Sequence, residues 1–357
     1  MKRFRCDRCQ SLVVFENDRC VNCDSRLAYV PERREMLSWG AMSEDAAAIR
    51  DVGAPAASYR LCRNYLEHNI CNWTVAIADG VDLCLSCRLT AVIPDLQVTD
   101  NLSRWFRIEA AKRRVIAGLL GLSLPLDAGG AAALRFEFKA DQATPGGIEP
   151  VLTGHSQGVI TVNIAEADDA ERERRRVTMH EPYRTLVGHF RHELGHYYWD
   201  CLIAPTRRLH GFRKLFGDER ADYSRALASY YSSGPVADWQ QGFISAYASA
   251  HPWEDWAETW AHYLHMLDSL ETAHEGGLSL RPERRSDPSF PHAVVAGSTH
   301  SRAFDKMLDR WRSLTYILNE LNRALGLRDA YPFVLSDAVN AKLEFVHRTV
   351  ERCRKVG

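Results

Sequence analysis

Two histidines and a glutamate fall within five consecutive residues, at His192, Glu193 and His196. On an α-helix the two histidines stand one turn apart, about 40° from each other on one face, with Glu193 beside them. Two imidazoles in that arrangement can share a tetrahedral zinc ion, and the glutamate can reach a water on the ion. The spacing therefore predicts a hydrolytic zinc site. The alternative is a helix with two surface histidines and no metal.

The residues around this motif predict the helix that must carry it. Pro182 suits the first helical position, where a missing N–H costs nothing, and the next proline is Pro205. Apolar residues recur at helical spacing on the opposite face, which makes the helix amphipathic. They are Leu186, Phe190, Leu194, Tyr197 and Cys201. On the polar face, Asp200 is a candidate to orient an imidazole. His189 is predicted to be a polar neighbour or a substrate contact.

A third protein ligand is required, because a catalytic zinc keeps three side chains and one water. The metzincin pattern needs a glycine three residues and a histidine six residues after His196. Those positions hold Trp199 and Leu202, so the chain does not have the metzincin pattern of zinc ligands. The third ligand must therefore come from another element.

A second helix, which begins at Pro252, offers such a ligand. Four polar residues lie within about 80° on one of its faces: Glu254, Glu258, His262 and His265. The other face is filled by Trp256, Trp260, Tyr263 and Leu267. Glu254 and Glu258 stand one turn apart, so helical periodicity does not decide which of them binds zinc. The alternative is a solvated acidic stripe.

Four cysteines near the N-terminus form two Cys-x2-Cys pairs: Cys6, Cys9, Cys20 and Cys23. Tight turns of this kind let thiolates from both pairs meet at one zinc ion, which predicts a zinc ribbon over residues 1–35. A module this small has too little apolar core to be stable alone, so metal binding must supply part of its folding free energy. Its role is either structural or docking. Eight Lys/Arg against six Asp/Glu in residues 1–35 give too small a positive charge to predict a nucleic-acid surface.

A second cysteine group follows: Cys62, Cys71, Cys84 and Cys87. Only its last pair has knuckle spacing, but four thiols within 26 residues favour a second structural zinc in a module over residues 58–95. His68 is an alternative to one thiolate, and four ordinary buried cysteines are the alternative to a metal site. Ser43 to Ala57, between the groups, is predicted to be a linker. Cys201 and Cys353 are read as free thiols.

Composition excludes several classes of protein. The net charge of −1 gives no whole-chain reason to expect a nucleic-acid or membrane partner. No stretch approaches the roughly 20 apolar residues of a membrane helix. The N-terminal residues run directly into a cysteine motif and lack the apolar core of a signal peptide. We therefore expect a cytoplasmic protein in which cysteines serve as metal ligands or free thiols.

The remaining pattern predicts an α+β fold. A helix capped by Thr99 or Asp100 is expected to present an exposed basic face: Arg104, Arg107, Lys112, Arg113 and Arg114. Strands are predicted over Leu134–Lys139 and Gly158–Ala165. Helical spacing returns over Asp218–Tyr231 and Phe304–Val350, with breaks predicted at Gly234-Pro235 and Pro332. The charged interval Glu275–His300 is predicted to be a loop insertion.

Strands followed by the motif helix resemble the order in zincin metallopeptidases. The resemblance implies that Gly158–Ile164 is the edge strand above the cleft, where an extended peptide pairs. An exposed edge strand is a ready template for that pairing.

The segment from Glu254 to Glu258 resembles the third-ligand helix of gluzincins, especially anthrax lethal factor and Mlc titration factor A. The resemblance implies that Glu254 binds zinc and that Glu258 supports a motif histidine from behind. It also implies that Tyr247, seven residues before Glu254, stabilises the oxyanion. Asp255 departs from the pattern, because the family usually carries an aromatic residue there.

Nearly the whole chain resembles bacterial zinc-binding metallopeptidases that carry an N-terminal zinc ribbon. The carriers are Cys62 to Cys87, Ile93-Pro94-Asp95-Leu96, Phe216-Gly217-Asp218-Glu219-Arg220 and the two motif helices. The resemblance implies zinc-ribbon modules followed by a zincin-like domain over residues 96–357 with a mostly helical second half.

Together these features predict a zinc metallopeptidase that holds one catalytic and two structural zinc ions and cleaves a peptide or protein. Glu193 is the predicted general base. One alternative is a protease that its ribbons target to nucleic-acid-bound or specific partner proteins. The other is a zinc-binding regulator without turnover, which two histidines and a glutamate disfavour, because structural zinc sites prefer cysteine.

Overall fold

The computed structural model describes residues 2–39, 49–50, 58–127, 133–144, 146–178, 185–280 and 303–353. Pro182 and most of the interval Glu275–His300 lie outside these residues. The linker predicted over Ser43–Ala57 also lies outside them, apart from the short strand Ile49–Arg50. No helix in the described ranges is long and apolar enough to cross a membrane.

The described residues mix helices with strands, which confirms the predicted α+β class. The helices are α1 (Arg63–His68), α2 (Leu85–Arg88), α3 (Asn101–Gly121), α4 (Asp169–Thr178), α5 (Leu186–Leu202), α6 (Arg208–Phe216), α7 (Tyr223–Ser233), α8 (Pro252–Glu275), α9 (Phe304–Ala324) and α10 (Asp337–Cys353). The strands are β1 (Phe4–Arg5), β2 (Leu12–Val13), β3 (Arg26–Val30), β4 (Glu35–Trp39), β5 (Ile49–Arg50), β6 (Ser58–Leu61), β7 (Thr74–Ala76), β8 (Thr90–Val92), β9 (Arg135–Lys139), β10 (Gln142–Thr144), β11 (Gly147–Glu149), β12 (Gly154–Ser156) and β13 (Val159–Asn163).

The chain divides into two compact units. The sheet unit comprises Arg3–Val177 and Tyr183–Tyr197, and the helical unit comprises Tyr198–Gly357 with the short segments Met1–Lys2 and Thr178–Pro182. The division into modules over residues 1–35, 58–95 and 96–357 stays a prediction.

Within the sheet unit, the two cysteine-bearing regions share one aromatic core. Phe15 and Trp73 both pack against Tyr29, with ring centroids 5.0 Å apart in each pair. The amide of Asn72 donates to the carbonyl of Phe15 at 2.6 Å. Trp73 and Tyr29 are fully buried. Residues that lie before and after the linker are therefore held together by aromatic packing and by this hydrogen bond.

A four-stranded sheet in the order β12-β13-β9-β8 forms the layer next to the motif helix. Strands β8, β9 and β13 are parallel, and β12 runs antiparallel to β13. In β9 the alternate residues Phe136 and Phe138 are buried, which confirms the predicted strand of half-buried character. Phe190 of α5 packs on both rings, at centroid distances of 5.6 and 6.3 Å, and so ties the motif helix to this sheet.

The edge strand is not the predicted one. β13 pairs on both sides, whereas β12 lies at the edge of the sheet and pairs only with β13 among the described strands. Ser156 and Val159 are paired residues, so Gln157 and Gly158 form a two-residue hairpin turn with φ values of 47° and 84°. Two positive φ angles suit such a turn, whose twist matches that of the strands. The sequence pattern missed β12 because it is short and polar.

The predicted exposed basic face of α3 is wrong at Lys112 and Arg113, whereas Arg107 is exposed as predicted. Lys112 is fully buried and bonds to the buried Glu109 at 3.0 Å, and Arg113 is almost fully buried. The ammonium of Lys112 also lies over the rings of Phe136 and Phe138 at 5.4 and 5.6 Å. Helical spacing identified this face as polar, but burial of an amphipathic cation against aromatic rings depends on tertiary packing.

Helix α5 begins at Leu186. The hydroxyl of Thr185 accepts the N–H of Gly188 at 2.9 Å, which is the bond of a threonine helix cap. On the buried face Leu194 and Tyr197 are inaccessible to solvent, and the Tyr197 hydroxyl donates to the carbonyl of Leu126 at 3.2 Å.

In the helical unit, α8 begins at Pro252 as predicted, and the imidazole of His251 accepts the N–H of Trp253 at 3.1 Å. One other helix prediction needs correction. α7 begins only at Tyr223, because the Asp222 side chain caps it at the N–H of Arg225. The stretch Phe304–Val350 is two helices, α9 and α10, and the break between them contains the predicted Pro332 and also Gly326 at a φ of 74°.

Candidate active site and metal centres

The first cysteine group brings four thiols together. The sulphur atoms of Cys6, Cys9, Cys20 and Cys23 all lie within 4.8 Å of one another. Two of the separations are 3.7 Å, between Cys6 and Cys23, and 3.5 Å, between Cys9 and Cys20. A tetrahedral zinc with ~2.3 Å bonds would separate its sulphurs by roughly 3.8 Å. A disulfide would be near 2.05 Å, so these distances suit a metal and not a bridge.

The second group is equally compact and more deeply buried. The sulphurs of Cys62, Cys71, Cys84 and Cys87 lie within 4.8 Å of one another, with 3.7 Å between Cys71 and Cys84. Backbone N–H groups donate to three of them: Trp73 to Cys71, Cys84 to Cys62, and Cys87 to Cys84. Donors aimed at sulphur favour the thiolate form that binds metal. His68 is not in this group, and its ring packs against Trp105.

Arg113 of α3 lies beside the second cysteine group. Its guanidinium donates to the carbonyl of Ile70. Burial lowers the pKa of Arg113, but the neighbouring Cys71 thiol and Glu109 carboxylate outweigh that effect and hold the pKa above its usual value. A zinc ion with four thiolates carries a net negative charge, so a buried cation here has an evident counter-charge.

In the motif helix, His192 and His196 present the same ring nitrogen to one point. Their Nε2 atoms are 3.2 Å apart, and both side chains are almost fully buried. A tetrahedral zinc with bonds of ~2.05 Å would hold two nitrogens roughly 3.3 Å apart. The two histidines therefore fit a shared zinc ion without rearrangement.

Glu193, between the two histidines, is also buried. Its Oε1 lies 3.2 Å from Nε2 of His189, one turn earlier on the helix. Burial raises the pKa of the Glu193 carboxyl, but the hydrogen bond from His189 and the charges of His192 and His196 outweigh it and leave the pKa below its usual value. An ionised carboxylate in this position is in the form that accepts a proton.

Sequence reasoning missed Glu166, which lies on the other side of His189. Its Oε2 is 2.6 Å from Nδ1 of His189, and its Oε1 accepts the hydroxyl of Thr153 at 2.7 Å. Glu166 is fully buried in the turn that follows β13. No local spacing connects it with the motif helix, because Glu166 and His189 are 23 residues apart and meet only in the fold.

His155 of the edge strand β12 was also missed. Its ring is stacked with that of His196 at a centroid distance of 6.4 Å, and its Nε2 accepts the N–H of Gly158 at 3.1 Å. Burial and the neighbouring His196 lower the pKa of His155 to about 4. A neutral imidazole therefore stands where the edge strand passes the second motif histidine.

In the helical unit, Glu254 is almost fully buried and accepts the hydroxyl of Tyr223 on its Oε1 at 2.6 Å. Tyr223 was not among the predicted site residues. Glu254 belongs to the helical unit, whereas both motif histidines belong to the sheet unit.

The other predicted residues have separate surroundings. Glu258 accepts the hydroxyl of Ser245 at 2.6 Å on its Oε2. Tyr247 lies in the short 3-10 helix Tyr247–Ser249, where its ring packs against Tyr230 at 5.6 Å. Asp200 is half-buried near the end of α5. The roles assigned to Glu258, Tyr247 and Asp200 stay predictions.

Two family models match this chain. One, described as "Putative zinc-binding metallo-peptidase", covers residues 101–349, and a zinc-ribbon model covers residues 3–98. The first contains α5 and α8, and the second contains both cysteine groups. Together they confirm the resemblance drawn from the sequence.

Similar proteins include "Uncharacterized protein Rv2568c" of Mycobacterium tuberculosis H37Rv and "Uncharacterized protein Mb2598c" of Mycobacterium bovis. Each is 42% identical over 357 residues, which covers 98% of this chain and 96% of the relative. No solved structure matches. The chain therefore belongs to the family described as "Putative zinc-binding metallo-peptidase" and carries an N-terminal zinc-ribbon region.

Proposed function

We propose that this protein is a zinc-dependent peptidase whose catalytic ligands are His192, His196 and Glu254. The single observation that carries the proposal is the pair of motif histidines. Their Nε2 atoms stand 3.2 Å apart, which is the separation that two ligands of one tetrahedral zinc ion require. Three side chains of this mixed kind leave a fourth position for water or substrate, as catalytic zinc sites require.

Glu193 is the proposed general base. A zinc ion at these ligands would supply Lewis acidity, which lowers the pKa of a water and polarises the scissile carbonyl. Glu193 accepts the proton of the attacking water and then donates it to the amine that leaves. His189 keeps the Glu193 carboxylate hydrogen-bonded in the absence of substrate, at 3.2 Å.

The choice of Glu254 makes the site gluzincin-like. Glu254 is more deeply buried than Glu258, and the Tyr223 hydroxyl fixes its carboxylate. Glu258 would then support a motif histidine, with Asp200 in a similar supporting role. Tyr247 would stabilise the oxyanion that develops on the substrate.

The remaining metal sites are proposed to be structural. Both cysteine groups have the sulphur separations of a tetrahedral zinc, so we expect two structural ions and one catalytic ion per chain. The substrate is a peptide or protein, and a cytoplasmic location is part of the proposal. We also propose that the ribbon region binds a partner, either a protein or a nucleic acid.

The test is digestion of a diverse peptide library, read by mass spectrometry, with wild type and Glu193→Gln in parallel. Wild type should generate new peptide termini, and a chelator should stop the reaction. Glu193→Gln should release none while it retains its zinc, because the general base is not a ligand. Full activity of Glu193→Gln would remove the proposed mechanism. If zinc is lost together with activity, Glu193 has a ligand role instead.

The same experiment separates the alternatives. A zinc-binding regulator would leave the library intact in every condition while it still bound three ions. A ribbon-targeted protease would cleave poorly alone and faster when DNA or a partner protein is added.

A further inference from the structure

We propose that His189 and Glu166 are positioning residues that hold the carboxylate of Glu193 in the orientation its proton transfer requires. The inference rests on the proposed function of Glu193 and adds two residues to it. It is carried by a continuous chain of hydrogen bonds inside the sheet unit, from Thr153 through Glu166 and His189 to Glu193.

The geometry of His189 leaves each ring nitrogen facing a different carboxylate. Nδ1 lies 2.6 Å from Glu166, and Nε2 lies 3.2 Å from Glu193. Ionised carboxylates accept hydrogen bonds and do not donate them, so between two ionised carboxylates the ring donates from both nitrogens as an imidazolium. The ring therefore cannot turn without losing one bond, and both partners keep it in place.

Glu166 is fixed from its other side. The hydroxyl of Thr153 donates to its second carboxylate oxygen at 2.7 Å, and the carboxylate is fully buried. A buried carboxylate needs compensating donors, and here a hydroxyl and an imidazole supply them. The turn Ile164–Ala167 that carries Glu166 directly follows β13, so the sheet provides the rigid base of the chain.

His189 is not a fourth metal ligand in this arrangement. The group of converging ligand atoms contains His192 and His196, and His189 is outside it. Both of its ring nitrogens are directed to carboxylates, whereas the motif histidines direct Nε2 to each other. His189 thus acts on the reaction only through Glu193. A general base contributes about 10²- to 10⁴-fold to rate, and that contribution depends on its orientation.

The first test is kinetic. His189→Phe keeps the ring volume and removes both hydrogen bonds. We expect kcat to fall roughly 10- to 100-fold, the range seen when a supporting residue is lost. KM and zinc content should stay unchanged. Glu166→Gln retains an acceptor for His189 and should keep much more activity than Glu166→Leu, which is the rescue that a merely structural role would not show.

His347→Phe is the matched control. His347 is also buried and bonds to the hydroxyl of Tyr263 at 3.0 Å, but it belongs to the helical unit. It should lose stability without the drop in kcat at constant KM.

The second test needs no turnover, so it stands even if the peptidase proposal fails. In the zinc-loaded protein labelled with ¹⁵N-histidine, we expect a slowly exchanging downfield ring proton between His189 and Glu166. It should vanish in His189→Phe and Glu166→Leu, and the Nε2–H signal of His189 should shift in Glu193→Gln.

Three results would overturn the inference. They are a wild-type kcat in His189→Phe, loss of zinc in that variant, and a His189 ring signal that is the same in Glu193→Gln as in wild type. Absence of peptide cleavage by wild type, with the NMR pattern present, would instead refute the peptidase proposal and leave the hydrogen-bonded chain established.

Discussion

Glu254 and Glu258 stand one turn apart on α8, and only their surroundings distinguish them. Glu254 is almost fully buried and takes the hydroxyl of Tyr223, whereas Glu258 is half-buried and takes the hydroxyl of Ser245. A carboxylate that binds metal typically has one oxygen fixed by a neighbour while the other faces the ion. Both glutamates have one oxygen fixed in this way, so the deeper burial of Glu254 is what favours it as the ligand.

We therefore predict that Glu254→Ala loses the catalytic zinc. Glu258→Ala should keep it at high metal concentration, with affinity or activity weakened roughly 10- to 100-fold, because it loses a supporting partner and not a ligand. Zinc titration of the two variants, against wild type with the cysteine sites filled, measures the difference. The reverse order of affinities would transfer the ligand role to Glu258.

Tyr223 and Tyr247 have different proposed roles, so we predict that their variants change different quantities. Tyr223→Phe removes a donor to the ligand carboxylate, so zinc affinity should fall about 10-fold, as one charge-assisted hydrogen bond of ~1.5 kcal/mol implies. Tyr247→Phe removes the predicted oxyanion donor, so kcat should fall while zinc affinity stays constant. Metal affinity and kcat are measured for both variants. If Tyr223→Phe lowered only kcat, the oxyanion role would belong to Tyr223.

Among the individual site residues, the sequence alone predicted those that lie close together along the chain. His192, Glu193 and His196 follow helical periodicity, and the Cys-x2-Cys pairs follow turn geometry. Glu166, His155 and Tyr223 were missed because each meets its partner only through tertiary packing. His189 was noticed as a polar neighbour, but its bond to Glu166 depends on the turn after β13.

Between elements, a buried ion pair joins α8 to α10. Lys342 bonds to Asp255 at 2.6 Å and also donates to the carbonyl of Gly242 at 2.6 Å. Both charged side chains are almost fully buried, and Asp255 directly follows Glu254 in the chain. The pair therefore fixes the turn of α8 that carries the proposed ligand. It also gives Asp255 a structural role at the position where the sequence resemblance led us to expect an aromatic residue.

Lys342→Met should lower the free energy of unfolding by about 3–5 kcal/mol, because it leaves the Asp255 carboxylate buried without its partner. The double variant Lys342→Met/Asp255→Leu should recover most of that loss, since two apolar residues have no charge to desolvate. Denaturant unfolding measures both. Arg348→Met, which breaks an exposed ion pair with Glu344 on the same helix, is the control and should change little. Equal losses in the single and double variants would show that the charge pair is not what matters.

The sequence predicted elements where periodicity was long and unbroken, such as α3, α8 and β9. It failed at β12, because three residues, Gly154–Ser156, are too few to show alternation. It also failed for the basic residues of α3, since periodicity gives the side on which Lys112 lies but not that aromatic rings cover it. The second failure concerns contacts between elements, which a single segment does not encode.

For the whole molecule, metal content is the property that unites the separate sites. Among the described residues, two groups of four cysteines converge, and so do the two motif histidines. Free thiols this close, in a chain with no cysteine pair at disulfide distance in its described part, are expected to be metal-loaded.

Purified protein should accordingly contain three zinc ions per chain, and Cys71→Ser should contain two or fewer. The loss should destabilise the fold, because structural zinc contributes directly to folding. Elemental analysis and thermal melting check both statements. About one zinc per wild-type chain would contradict both cysteine assignments.

The most direct test of the central claim is a crystal structure with anomalous data at the zinc edge. We predict a zinc ion about 2.0–2.2 Å from Nε2 of His192, Nε2 of His196 and a carboxylate oxygen of Glu254, with a water in its fourth position beside Glu193. A zinc ion closed by a fourth protein ligand would contradict a catalytic site. No peak at the two motif histidines would contradict the zinc site itself.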